Sequence, residues 1–213
     1  MNTLAPRTRV GLGATSRGGL FVAIGSRRLG RDARLHVVRA APPPPRLRAR
    51  RALIDVDLDE QVLVAYEGTR PMYATLVSTG TPSHLTLLGT FRIEDKRALA
   101  LMESGPGAAS PYRGHVPWTM YYDGPYATHA AYWHDRFGAR MSHGCINLAP
   151  LDARVLYHWT APAVPEGWTV VKASAAVPGS IIRVRTGRVA QPALRGYARD
   201  VDRARRSGPG RGQ

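Results

Sequence analysis

Cysteine is nearly absent from this 213-residue chain: Cys145 stands alone, and one thiol cannot form an intrachain disulfide. No run of about 18 apolar residues occurs, which excludes a transmembrane helix on length. The closest approach to an export signal, residues 18–25 (GGLFVAIG), is short, lies between Arg17 and the pair Arg27-Arg28, and is followed by no convincing cleavage site; it reads as a weak signal. Acidic residues are scarce at both ends. Residues 1–51 carry twelve arginines against Asp32, for +11, and residues 183–213 carry nine against Asp200 and Asp202, for +7, which leaves −3 of the total +15 for residues 52–182. The basicity is thus terminal, and the central body is mildly acidic. Arg-rich ends flanked by Pro and Gly are expected to be solvated, disordered tails, with loose adhesion to anionic polymers as their functional reading. Their only aromatic residues are Phe21 and Tyr197, so base stacking has little support and no nucleic-acid partner is expected.

The length suits one domain with extensions. Four prolines at 42–45 resist helix and strand alike, and residues 46–51, rich in Arg, complete a linker. Residues 52–58 (ALIDVDL) alternate Ile54, Val56 and Leu58 against Asp55, Asp57 and Asp59. That period of two predicts a half-buried strand, paired as a hairpin with residues 61–66. Further strands are predicted at 72–78, 89–94, 116–122, 126–129, 168–172 and 180–185, with Asp123-Gly124-Pro125 as a turn. Residues 105–114, rich in Gly, Pro, Ala and Ser, read as a mobile loop. One helix is predicted from Pro150, a residue suited to the first helical position, with Asp152 in the first turn and Ala153, Leu156, Tyr157 and Trp159 as its buried face. Pro162 and Pro165 end it. The pattern predicts a mainly β domain over residues 52–186, a disordered basic segment at 1–51 and a disordered basic tail at 187–213.

Cys145 lies in Ser142-His143-Gly144-Cys145-Ile146-Asn147, sixteen residues after His129. A free thiol is only a few per cent thiolate at neutral pH, so nucleophilic work needs an imidazole beside it. His129 ends a predicted strand and Cys145 follows a loop, an order that permits the contact. Gly144 gives the backbone room, and the amides of Gly144 and Cys145 are candidates for stabilising a tetrahedral oxyanion.

The stretch HAAYWHDRFGARMSHGCIN resembles the signature of the L,D-transpeptidases, the YkuD-type catalytic domain. The likeness extends to IDVDLDEQVLVAYEG, to VSTGTP with LLGTFRI, and to LDARVLYHWT, covering about residues 52–186. It implies a mainly β, sandwich-like fold with one or two short helices, flanked by the basic tails. It also implies that Cys145 is the nucleophile, forming a thioester with a peptidoglycan tetrapeptide stem and releasing D-alanine, and that His129 is its base or ion-pair partner, oriented by the carbonyl of Ala130. Ser142, His143 and Gly144 then shape the oxyanion loop. Asn147 holds that loop or contacts substrate, and Tyr126, Trp133 and His134 are candidates for the substrate side of the groove. Transfer to an amine of a second stem makes a 3-3 crosslink, water as acceptor makes an L,D-carboxypeptidase, and carbapenems are implied to acylate Cys145. The resemblance implies no metal, nucleotide or redox cofactor and a location in the cell envelope outside the cytoplasm; it leaves the tails unmatched, and their composition alone makes anionic wall polymers candidate partners. Three departures stand out: Leu87-Leu88-Gly89 replaces a Pro-Thr-Gly type turn, Ala149 lacks the side-chain oxygen that caps a helix, and the export signal is weak.

Three other readings compete. His129, His134 and His143 with Cys145 match no compact zinc spacing. A catalytically silent module would bind wall polymer or nucleic acid through its tails. A papain-like hydrolase would place its cysteine before its histidine, the reverse of the order here.

Overall fold

The computed structural model describes residues 52–104 and 112–207, together with the backbone of three short strands near the N-terminus. Those three, β1 (Gly13–Ala14), β2 (Leu20–Val22) and β3 (His36–Val38), pair antiparallel in sequence order. The rest of the basic segment 1–51, including most of the 18–25 stretch, lies outside the described residues.

Two five-stranded sheets form the body. Strands β4 (Ala52–Asp57), β5 (Val62–Glu67) and β6 (Arg70–Leu76) make an antiparallel meander that begins with the expected hairpin. Strand β7 (Gly89–Arg92) belongs to the same sheet. Strands β8 (Asp95–Glu103), β9 (Arg113–Asp123), β10 (Tyr126–Ala130) and β11 (Ile146–Leu148) build the second sheet. Helix α1 (Pro150–Trp159), β12 (Val170–Lys172), β13 (Ile181–Arg185) and helix α2 (Gly196–Ser207) follow. The sheet orders are β6-β5-β4-β13-β7 and β11-β10-β9-β8-β12. The main core is buried side chains from both sheets and α1, among them Ile54, Val56, Leu63, Phe91, Ile93, Met120, Tyr122, Ile146, Leu148, Leu156, Ile182 and Val184. The mainly β, sandwich-like expectation is met.

Four expectations need correction. Asp55 and Asp57 are buried rather than solvent-facing. The parallel register of β4 and β13 sets Asp55 opposite Arg183 and Asp57 opposite Arg185. The Arg183 Nε–Asp55 Oδ1, Arg185 Nε–Asp55 Oδ2 and Arg185 Nη1–Asp57 Oδ2 distances are 2.6, 2.9 and 2.7 Å. Two of the arginines counted with the basic C-terminal end are therefore internal partners of strand carboxylates. This face also carries a second apolar cluster of Leu53, Val62, Val64, Tyr66, Leu76 and Ile181, so β4 is covered on both sides.

Strand β8 was not predicted, because its alternation runs against the usual rule. Lys96 and Ala100 are buried on one face while Leu99 and Leu101 are exposed on the other. The Lys96 ammonium donates to the carbonyls of Tyr157, Thr160 (2.8 Å) and Pro162 (2.9 Å), where a positive charge complements the C-terminus of α1. Burial pulls its pKa down to about 8.

Residues 105–111 of the expected loop lie outside the described residues, and Arg113 and Gly114 belong to β9. The tail expected to be disordered from 187 instead carries α2, with Ala198 and Val201 buried against the body and the Tyr197 hydroxyl donating to the Ser174 carbonyl at 2.7 Å. Residues 208–213 lie outside the described residues.

Helix α1 starts as its sequence suggests, with Pro150 in the first turn and no side-chain cap from Ala149. Asp152 does more than favour the dipole. Its carboxylate accepts from the Tyr73 hydroxyl at 2.6 Å and from the Thr75 hydroxyl, which fastens the helix to β6.

Candidate active site

Strand pairing brings the two expected catalytic groups together. Strands β10 and β11 run parallel with His129 opposite Asn147 and Thr128 opposite Ile146. Cys145 directly precedes Ile146, so its side chain leaves the sheet on the same face as that of His129, two positions away in register. Both line one cleft of about 600 Å³, with Tyr126, Trp133, Ser142, His143 and Asn147.

The imidazole has a fixed tautomer. Its Nδ1 lies 3.1 Å from the Ala130 carbonyl, and a carbonyl only accepts, so Nδ1 carries the proton and Nε2 keeps its lone pair. His129 is 4% exposed. Burial pulls its pKa down to about 4, against the opposing pull of the Ala130 hydrogen bond. Burial also pushes the Cys145 thiol up, partly offset by a hydrogen bond from the Ala127 backbone. Near pH 7 the pair therefore rests as neutral thiol and neutral imidazole, an arrangement suited to general-base activation rather than to a standing ion pair. Among the described residues the thiol's acceptor is the distant Pro125 carbonyl, 3.8 Å from Sγ.

The loop before Cys145 is tightly organised. Thr81 N–H donates to the Ser142 carbonyl at 3.1 Å, and the amides of Met141 and Ser142 both reach the Thr79 carbonyl. The Ser142 hydroxyl donates to the Cys145 carbonyl and accepts from the Gly144 amide at 3.1 Å. Of the two amides expected to hold an oxyanion, that of Gly144 is thus already engaged. The Cys145 amide has no acceptor among the described residues. Gly144 has φ +114°, and a Cβ there would lie 2.8 Å from the Tyr126 ring, so conformation and space both demand glycine.

The remaining expected site residues separate by position. His143 is exposed and packs edge-on against His84, with ring centroids 4.6 Å apart, and near Tyr112; it forms a wall of the cleft and is not hydrogen-bonded to the thiol. Trp133 is exposed with its ring 5.9 Å from that of His129, so it does form a wall. His134 instead supports Asn147, its Nε2 lying 3.1 Å from Asn147 Nδ2, and stacks near Phe137. Asn147 is buried, and its Oδ1 has no partner among the described residues. Among the described residues no group of three or more His, Cys, Asp or Glu side chains is placed to hold a metal ion. Sequence reasoning missed Pro125, whose carbonyl faces the thiol, and Thr86, which falls between the two motif segments quoted above and had no chemical signal of its own.

Fold and site together define a mainly β protein with a cysteine–histidine cleft. The L,D-transpeptidase catalytic domain model (YkuD) matches residues 51–184, and the chain belongs to that family, whose members are generally cell-wall enzymes. It is 27% identical over 140 residues to YciB of Bacillus subtilis (strain 168), which carries a provisional L,D-transpeptidase name; the match covers 60% of this chain and 68% of that protein. Among solved structures it is similar to a cysteine-to-serine mutant of the Enterococcus faecium L,D-transpeptidase (TM-score 0.51, 24% identity, 64% of this chain and 50% of that one). It is also similar to an L,D-transpeptidase from Mycobacterium smegmatis (TM-score 0.51, 21% identity, 81% and 68%). The chain thus spans half the length of the Enterococcus faecium structure, and these likenesses show a shared fold. No helix among the described residues is long and apolar enough to cross a membrane.

Proposed function

We propose that this chain is a cysteine-dependent L,D-transpeptidase acting on peptidoglycan stem peptides in the cell envelope. The observation that carries the reading is the pairing, in one cleft, of the Cys145 thiol with an imidazole whose Nδ1 is committed to the Ala130 carbonyl. His129 Nε2 takes the thiol proton as Sγ attacks the carbonyl of the L-centre of the diamino acid in a tetrapeptide stem. The tetrahedral oxyanion is met by the Cys145 amide. Collapse breaks the bond to the terminal D-alanine, whose amine takes the proton from His129, and leaves a thioester. An amine of a second stem then attacks the thioester and gives its proton to His129, which passes it to Sγ as the C–S bond breaks and the 3-3 crosslink forms. With water as acceptor the same steps make an L,D-carboxypeptidase. Tyr126, Trp133, His143 and Asn147 would contact the stem, and the basic ends would adhere to anionic wall polymers. No step draws on a metal or redox cofactor.

The test is mass spectrometry of muropeptides incubated with the chain and with Cys145→Ala. D-alanine release with a 3-3 linked dimer, lost by more than about 10⁴-fold in the variant, is the expected result. Tripeptide without dimer would assign the carboxypeptidase. Unchanged muropeptides with correctly folded protein would refute the substrate.

A further inference from the structure

An oxyanion site built on a single backbone amide depends on which way that amide points. The Gly144–Cys145 peptide is planar, with the Gly144 carbonyl and the Cys145 N–H directed to opposite sides. Whatever holds the carbonyl therefore aims the amide. The Gly144 carbonyl accepts from the Thr86 hydroxyl at 2.9 Å. Thr86 is 4% exposed, and its oxygen also accepts from the Gly80 amide at 2.8 Å. Because an amide N–H can only donate, the single hydroxyl hydrogen of Thr86 has one place to go, the Gly144 carbonyl. The support behind it is rigid. A Cβ on Gly80 would fall 2.0 Å from the His84 carbonyl oxygen and 2.7 Å from the Thr86 nitrogen, so the 80–86 loop closes tightly on itself. The next backbone groups bond directly to Ser142.

We infer that Thr86 is a positioning residue for acyl transfer: its hydroxyl, locked between the Gly80 amide and the Gly144 carbonyl, turns the Cys145 N–H toward the oxyanion. The inference rests on Cys145 being the acylated nucleophile of the proposed function. It deepens that reading by assigning the oxyanion site to one amide and one outside support.

Two reactions of the same thiol separate positioning from general loosening of the cleft. With p-nitrophenyl acetate, Sγ bonds to the acyl carbon through a tetrahedral oxyanion, p-nitrophenolate leaves and the thiol proton passes to His129. With iodoacetamide, Sγ bonds to the methylene carbon, iodide leaves and the thiol proton passes to His129, with no oxyanion at any point. Thr86→Val keeps the shape and removes the hydroxyl; it should slow acylation by about 10- to 100-fold and change alkylation by less than about twofold. Thr86→Ser should restore acylation to within about threefold of wild type, and Thr86→Ala substitutes for Thr86→Val should the latter not fold by circular dichroism. Equal slowing of both reactions, unchanged acylation in Thr86→Val, or no recovery in Thr86→Ser would overturn the inference. So would wild-type acylation no faster than that of a free cysteine peptide. The ester has no peptidoglycan feature, so the expected ester pattern alongside inert muropeptides would support this inference while counting against the substrate.

Discussion

Two buried polar regions of this molecule are built on opposite rules. On one face of β4 and β13, Asp55, Asp57, Arg183 and Arg185 form a closed ladder in which strand register delivers each carboxylate to a guanidinium. In the cleft at β10 and β11, groups are left incompletely matched: a thiol with only a distant carbonyl for its hydrogen, a Cys145 amide with no acceptor and an Asn147 Oδ1 with no partner among the described residues. Buried polar atoms are ordinarily satisfied, and the exceptions call for an explanation. Here the ion-pair region holds the strands together, and the cleft leaves polar atoms available for contact.

The comparison breaks most visibly if the ladder is opened. Removing one member of a buried ion pair leaves the other charged and desolvated, at a cost of about 3–5 kcal/mol. Asp55 keeps Arg185 as a partner when Arg183 is removed, so Arg183→Met should lower unfolding free energy by about 1.5–3 kcal/mol in urea titrations, and Arg185→Met, which takes a partner from both Asp55 and Asp57, by the full amount. None of the four residues lines the cleft, so alkylation of Cys145 in the folded fraction should keep its wild-type rate. A large fall in that rate would show that the two regions are coupled.

Proton binding sharpens the contrast next. The folded pKa of His129 is about 4, and an unfolded histidine titrates near 6.5. Between those values the unfolded chain binds more protons, so stability falls as pH drops through this window and the loss is complete below it. The difference corresponds to about 3 kcal/mol. Chemical denaturation at pH 7 and pH 4.5 should show most of it, and His129→Gln should flatten the dependence. The same pKa sets the acid limb of kcat/KM near pH 4, because the imidazole must be neutral to accept the thiol proton.

The smallest expected effect concerns a third unsatisfied end. Ala149 offers no side-chain acceptor to the first turn of α1, which follows β11 directly but lies outside the cleft. Ala149→Ser should raise stability by about 1 kcal/mol, read as a higher urea midpoint with acylation of Cys145 unchanged. Slower acylation in that variant would mean that the helix end belongs functionally to the cleft after all.

Much of this organisation was legible before any coordinates. Ile54 and Val56 alternating with aspartates announced β4, Pro150 and Asp152 announced α1, and the resemblance of the segment from His129 to Asn147 to the family signature pointed to a cysteine–histidine site. Local rules failed where a distant partner reversed the meaning of a residue. Asp55 and Asp57 looked solvent-facing because Arg183 and Arg185 lie about 130 residues away in sequence. Lys96 hid β8, since an inward lysine is intelligible only once the carbonyl ends of α1 are known. Ala198 and Val201 were too few to mark α2 in a segment dominated by arginine.

By itself, then, the sequence determined which chemistry is available: one thiol, an imidazole within folding reach, a glycine beside the thiol, and strand and helix patterns able to carry them. Only the tertiary structure decided the protonation and direction of those groups. Burial sets the neutral state of His129 and Cys145, the Ser142 hydroxyl takes the Gly144 amide, and Thr86, 58 residues from Gly144, fixes the peptide whose N–H remains. Desolvation and hydrogen-bond direction arise from neighbours in space, and a linear order of residues does not contain them.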